Sequence, residues 1–412
     1  MKHAIMPPTG TAHRPEPSAM TSIFVVSAVR SAIGGFGGAL RGTAPSVLAA
    51  RLIAAAVDRA GLPADAVGQV VLGQVIPTEP ADLYLARHAA LRAGLPVETV
   101  AMNVNRICGS GLQAIISAAQ AIRLGDADIA VAGGVEIMSR APYLATDARF
   151  GGRLGNQTLL DLLVGALTDP FDHVHMGVTA ENVATTHGIT RAMQDDLAFE
   201  SHRRASAAIR AGRFDGQIVP IEIRANGRAT LFDRDEHVRH DAVRADFDAL
   251  RPAFRKDGGT ITAGNASGIN DGAGMVVLAS GDAVRRLDLT PLARLVAYGH
   301  AGVEPSQMGM GPVPATRRAL DRAGLGIADL DLLEMNEAFA AQACAVSRVL
   351  ELDPARVNPN GSGISLGHPI GASGAIATVR LVHELARIGG RTGLVSLCIG
   401  GGQGIAAVFQ RP

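Results

Sequence analysis

An internal repeat constrains this chain more than any other feature. The heptapeptide AVDRAGL at 56–62 returns as ALDRAGL at 319–325, identical at six of seven positions with an offset of 263. At the same offset ICGSGLQA at 107–114 falls on IGASGAIA at 370–377, retaining Ile, Ser, Gly and Ala. A common helix terminus would account for the first match alone. Two matches at one gap-free offset indicate two similar halves, separated by an insertion over 138–269. A chain of 412 residues has room for such units.

Strand-like runs at Ile23–Val29, Val67–Ile76, Ile129–Gly133 and Gly274–Ala279 alternate with helical periodicity at 45–60, 110–124, 191–211, 314–324, 337–350 and 372–388. That alternation indicates an α/β architecture in layers. The 47% hydrophobic content is ample for a core. Lys plus Arg and Asp plus Glu number 38 each, so no net charge draws the chain to nucleic acid or an anionic membrane. The arginine-rich stretch 202–213 lacks interleaved aromatics, and helical spacing spreads its charges over a solvated face. No apolar run reaches the roughly 18 residues of a membrane span. Three cysteines without a CxxC spacing argue against a disulfide framework or a zinc site and fit a reducing cytoplasm. Residues 1–20 carry Pro7, Pro8, Pro15 and Pro17 and no apolar core segment; they are expected to be a disordered extension rather than a leader.

Three stretches carry chemistry. Cys108 sits just before the apolar helical face Leu112, Ile115, Ile116, Ala119 and Ile122, with Gly125 as C-cap. It is either a small core residue or a nucleophile. At a helix N-terminus, free N–H groups and the dipole are expected to lower its pKa. His368, in NGSGISLGHPIGASG, corresponds through the repeat to Asn105, three residues before Cys108. Equivalent turns facing one site would make it the base that activates the thiol. Cys398 ends an apolar strand and runs into three glycines, whose N–H groups suit an oxyanion hole. Asn336 reads as a helix N-cap, and Cys344, among alanines, as structural.

In this order NRICGSGLQA, NEAFAAQA, GHPIGASG and CIGGGQG resemble the thiolase family, and the resemblance runs from about Ser22 to Phe409. VRSAIGGFGG, HMGVTAENVA, ITAGNASGINDGAG and MGMGPVPA agree with it. The last quarter is most similar to bacterial broad-specificity β-ketothiolases that supply 3-ketoacyl-CoA for polyhydroxyalkanoate synthesis. A carrier-protein condensing enzyme is disfavoured by Cys398 and its glycines.

The resemblance implies a five-layered α-β-α-β-α thiolase fold. Its N-terminal half would be 21–137 with 270–291, its loop domain for coenzyme and oligomer contacts 138–269, and its C-terminal half 292–412. It implies an acyltransferase acting on acetyl-CoA, short acyl-CoA and 3-ketoacyl-CoA, with no metal or resident cofactor, as a dimer or tetramer. By matching motif, Cys108 would be the acyl acceptor, His368 its activator, Cys398 an acid/base and Asn336 the holder of a water. The N–H groups of Cys108 and Gly400 would form an oxyanion hole. Arg239 and Ser267 would bind the coenzyme, Ala338 and Phe339 would line the pantetheine channel, and His175, Met176 and Met308 would border the acyl pocket. Met335, Ile137 and Met310 depart from the family pattern.

Overall fold

A computed structural model of the chain describes residues 22–152, 154, 156–225 and 228–412. The expected extension 1–20 lies outside them. The frame is a ten-stranded sheet. Its longer strands are β1 (Ile23–Arg30), β2 (Gln69–Gly73), β3 (Val100–Val104), β4 (Ile129–Ile137), β5 (Asn270–Ser280), β6 (Ala293–Gly302), β7 (Leu332–Met335), β8 (Thr392–Ile399) and β9 (Gln403–Gln410). They run in the order β7-β8-β9-β6-β1-β5-β4-β2-β3, and the two residues Gly34–Gly35 add to β5. The antiparallel pairing of β1 with β6 joins the two wings. The principal helices are α1 (Pro45–Arg59), α2 (Ser110–Leu124), α3 (Met176–His187), α4 (Arg191–Arg210), α5 (Pro312–Ala323), α6 (Ala340–Val349) and α7 (Ser373–Ile388). Among the described residues, no helix is long and apolar enough to cross a membrane.

The repeat is structural. The first residues of β2 and β7, of α2 and α7, and of β4 and β8 are each 263 apart. AxDRAGL closes α1 and α5 in the same way. Gly61 and Gly324 both adopt φ +66°, and the following leucine N–H returns to the helix, Leu62 to Val57 at 3.2 Å and Leu325 to Leu320 at 3.0 Å.

Period-2 alternation sorts the strand side chains into layers. In β9, Ile405, Ala407 and Phe409 face inward to α2 and α7, while Ala406 and Val408 face outward to α5. In β5, Val276 and Leu278 face inward while Met275 and Val277 face outward with the core that holds α1. Helix α1, one wing, the α2–α7 pair, the other wing and α5 are the five layers. Because both sheet faces are covered, the strands read as unbroken apolar runs.

The middle layer closes on a pair of glycines related by the repeat. A Cβ on Gly111 would stand 2.8 Å from the Ala375 nitrogen, and one on Gly374 would stand 2.5 Å from the Leu112 nitrogen. Each helix therefore admits the other's backbone at its first turn, which brings the segments preceding α2 and α7 together. Helices α3 and α4 and the hairpin Ile221–Ala225/Arg228–Phe232 belong to the stretch between β4 and β5, outside the main sheet.

Candidate active site

Cys108 sits two residues before α2 in a tight turn. Ile107 adopts φ +44°, a conformation that costs a β-branched residue strain. The turn is fixed from both sides: Asn105 Oδ1 accepts from the Ile107 N–H at 2.9 Å, and Ser110 Oγ accepts from the Arg106 N–H at 2.8 Å while donating to the Ile107 carbonyl at 2.6 Å. Cys108 as a residue is half-buried. Its pKa is not lowered, contrary to the expectation from the helix terminus. Burial pushes it up to about 11, although the N–H groups of Gly400 and of Cys108 itself pull it down; Glu136 adds to the rise. Desolvation outweighs the helix end because the sulfur lies in an apolar recess.

His368 precedes α7 in the matching turn. Its N–H donates to Asn270 Oδ1 at 3.0 Å. Its Nδ1 lies 2.6 Å from Ser373 Oγ, and that hydroxyl donates to the Pro369 carbonyl at 2.9 Å. A carbonyl only accepts, so the serine proton is committed there and the serine oxygen accepts from Nδ1–H. This fixes the tautomer and leaves Nε2 as the free base. Burial lowers the imidazole to about 4, so it is neutral near pH 7. Asn336 directly follows β7, and its amide nitrogen is 3.3 Å from Nε2. It is not an N-cap: α6 begins four residues later, with Phe339 at that position. Cys398 is the penultimate residue of β8. Burial pushes its thiol well up, and the neighbouring Cys108 adds to the shift. The β8–β9 turn that follows, Gly400–Gly402, takes φ +81° and +85° at Gly401 and Gly402.

Both cysteines, His368 and the glycine turn meet in one cavity of ≈ 360 Å³, which Asn336 does not line but approaches through its contact with His368. Cys108, His368, Cys398 and Gly400 line it, together with His175, Met176, Met308, Ser267, Ala338 and Phe339. The Ser267 N–H donates to the Ala338 carbonyl at 2.9 Å, zipping the two coenzyme-side segments together. His175 caps α3, accepting from the Gly177 N–H at 3.0 Å, and stacks on Phe254 at 4.6 Å. Arg239 does not line the cavity. It is exposed, its guanidinium 3.5 Å from the carbonyl of Ala263, which does. A second cavity of ≈ 480 Å³ between α4 and α6 contains Cys344 but no histidine. An apolar-walled slot with two thiols, a neutral imidazole and a glycine turn whose N–H points at the thiol can hold a thioester and exchange its acyl group.

The chain matches the model of the thiolase N-terminal domain over residues 23–282 and that of the thiolase C-terminal domain over 289–411. It belongs to the thiolase family. The β-ketothiolase BktB of Cupriavidus necator is 60% identical over 389 residues, 94% of this chain and 99% of that protein. The crystal structure of the Bacillus anthracis acetyl-CoA acetyltransferase superposes with a TM-score of 0.93 at 47% identity, covering 96% of this chain and all of that one. The human mitochondrial 3-ketoacyl-CoA thiolase in complex with CoA gives 0.92 at 45% identity, over 95% and 98%.

None of the three departures from the thiolase pattern lines the active-site cavity. Met335 is buried with the α5-side core, facing the second cavity. Ile137 is fully buried and pairs across the sheet with Asp271, whose Oδ2 has no hydrogen-bond partner among the described residues. Met310 is half-buried where two apolar clusters meet. The arginine stretch is less solvated than expected. Arg204 donates to the Val357 carbonyl at 2.6 Å and Arg213 to Asn360 Oδ1 at 2.7 Å, anchoring the segment that leads to His368. Sequence reasoning missed Ser373, Asn270 and Glu136. Ser373 had a signal, since the repeat equates it with Ser110. Glu136 had one too, as the lone charge in the apolar strand IAVAGGVEI.

Proposed function

We propose that this thiolase is an acetyl-CoA C-acyltransferase, a β-ketothiolase. It joins acetyl-CoA to a short acyl-CoA by reversible Claisen condensation, or cleaves a 3-ketoacyl-CoA with CoA, through an acyl-Cys108 intermediate. The observation that carries this reading is the convergence of Cys108, His368, Cys398 and Gly400 on one cavity.

His368 Nε2 takes the Cys108 proton as the sulfur attacks the thioester carbonyl. The oxyanion is met by the N–H groups of Cys108 and Gly400, and the departing CoA sulfur takes a proton from Cys398. The resulting Cys398 thiolate, in an environment that disfavours its charge, is a strong base. It removes the α-proton of a second acetyl-CoA. Asn336 and His368 hold a water that stabilises the enolate oxygen. The enolate attacks acyl-Cys108, whose sulfur recovers its proton from His368. Arg239 and Ser267 hold the coenzyme, Ala338 and Phe339 flank the pantetheine arm, and His175, Met176 and Met308 border the acyl group. The similarity to a β-ketothiolase supports the reaction type; short-chain substrates, a place in polyhydroxyalkanoate synthesis or fatty acid metabolism, the cytoplasm and a homo-oligomer belong to the same proposal. The chemistry calls for no resident cofactor.

Intact-protein mass spectrometry with acetyl-CoA tests this: an acetyl adduct maps to Cys108 and disappears on addition of CoA. A Cys108→Ser variant that still gained a turnover-competent adduct would overturn the assignment. Thiolysis kinetics over C4 to C8 substrates are expected to favour the short end.

A further inference from the structure

Glu136 is fully buried on β4. Its carboxylate is held by backbone N–H groups from both halves. Oε2 accepts from Val75 at 2.9 Å and from Gly371 at 2.8 Å, while Oε1 accepts from Ile76 at 3.1 Å. Val75 and Ile76 belong to the turn after β2. Gly371 lies three residues after His368 and is the counterpart of Cys108 at the repeat offset. Any side chain on Gly371 would collide with this carboxylate. From Val75 the connection continues to the thiol: its carbonyl accepts from Asn105 Nδ2 at 3.3 Å, and Asn105 holds the Ile107 N–H. Ile107 and Cys108 pack on the cluster formed by Val75, Ile76 and Ile370.

Three converging N–H donors need two oxygens that both accept, which a carboxyl group offers in either protonation state. Glutamine would turn its NH₂ toward at least one N–H, and aspartate is one methylene short. We propose that Glu136 is a positioning residue for acyl transfer at Cys108: its buried carboxyl group fastens the turn after β2 to the His368 turn and so sets thiol and imidazole in register across the boundary between the halves. This rests on the function proposed above. Two further groups face the carboxylate electrically. Asp82 helps to hold it in the acid form, with burial the larger cause of a rise to about 8, and Cys108 feels its charge.

The test compares wild type with Glu136→Gln in thiolysis kinetics, thermal melting and iodoacetamide alkylation of Cys108 against pH. The variant is expected to lose about 100-fold in kcat with little change in KM, the scale of a misplacement of about 1 Å. Its alkylation midpoint should move to lower pH, because a charged carboxylate faces the thiolate at alkaline pH and the amide does not. An unchanged kcat, or a lost kcat with the midpoint unmoved, overturns the proposal. Should wild type form no acetyl adduct on Cys108, the proposed function fails instead. If Glu136→Gln does not fold, Asn105→Ala decides, since it cuts the link to Cys108 and leaves the carboxylate in place: a kcat loss with KM retained supports the proposal, and wild-type kcat sinks it.

Discussion

A thiol near 11 beside an imidazole near 4 is a resting pair neutral on both sides. The free enzyme therefore holds no thiolate–imidazolium ion pair, and the proton moves only when a carbonyl stands ready to accept the sulfur's electrons. Alkylation of Cys108 by iodoacetamide should climb steadily with pH from 6 to 10; a plateau across that range would indicate an ion pair and contradict this account. The Ser373 hydroxyl has a separate signature. Ser373→Ala frees Nδ1 and leaves both tautomers open, so kcat should fall about 100-fold, the low end of what a placed general base contributes, with coenzyme affinity retained by calorimetry. The positions of Cys108 and His368 were legible because the repeat put equivalent turns before equivalent helices. The thiol's pKa was not, because helix-end stabilisation is local while desolvation depends on residues such as Met176 and Ile370 that arrive from elsewhere in the chain.

Elements with one buried face announced themselves: the α2 apolar stripe ran from 110 to 124 and the helix occupies that range. The strand read over Val67–Ile76 stops at Gly73 for a specific reason. After a last bond from the Gln74 N–H to the Val104 carbonyl at 3.2 Å, the amides leave the neighbouring strand, and Val75 and Ile76 donate to Glu136 instead. Helix α3 escaped notice because its Thr179 and Glu181 are buried along with Val183, which erases the amphipathic contrast. The α2–α7 crossing offers an element-level test. Gly374→Ala pushes a methyl into the Leu112 backbone, and since neither helix can shift without opening the site, it should cost about 1–3 kcal/mol in urea unfolding. Gly165→Ala, with open space around it, should cost little. Equal effects would show that the crossing is not tight.

The two halves differ at their outer edges, and that difference bears on assembly. In the C-terminal half, β7 carries a parallel bridge from Leu333 to Val357 on its free side. In the N-terminal half, β3 has β2 as its sheet neighbour and nothing beyond it in the strand order. Its Val100 and Met102 are 58% and 43% exposed, and Val97, Leu83 and Tyr84 extend the apolar surface. An apolar edge strand that no other described strand covers invites another copy of itself. A second exposed apolar group, Tyr143, Leu144, Leu160 and Phe171, lies in the stretch between β4 and β5. One self-complementary face closes a dimer; a tetramer of dihedral symmetry needs two. Light scattering of Val100→Glu/Met102→Glu should therefore report a smaller particle than wild type, as each carboxylate would be buried unpaired at the interface. If wild type is a tetramer, Leu144→Glu/Leu160→Glu should yield dimers and leave the edge-strand contact intact. A monomeric wild type, or an edge variant of unchanged mass, would remove the edge strand from the assembly.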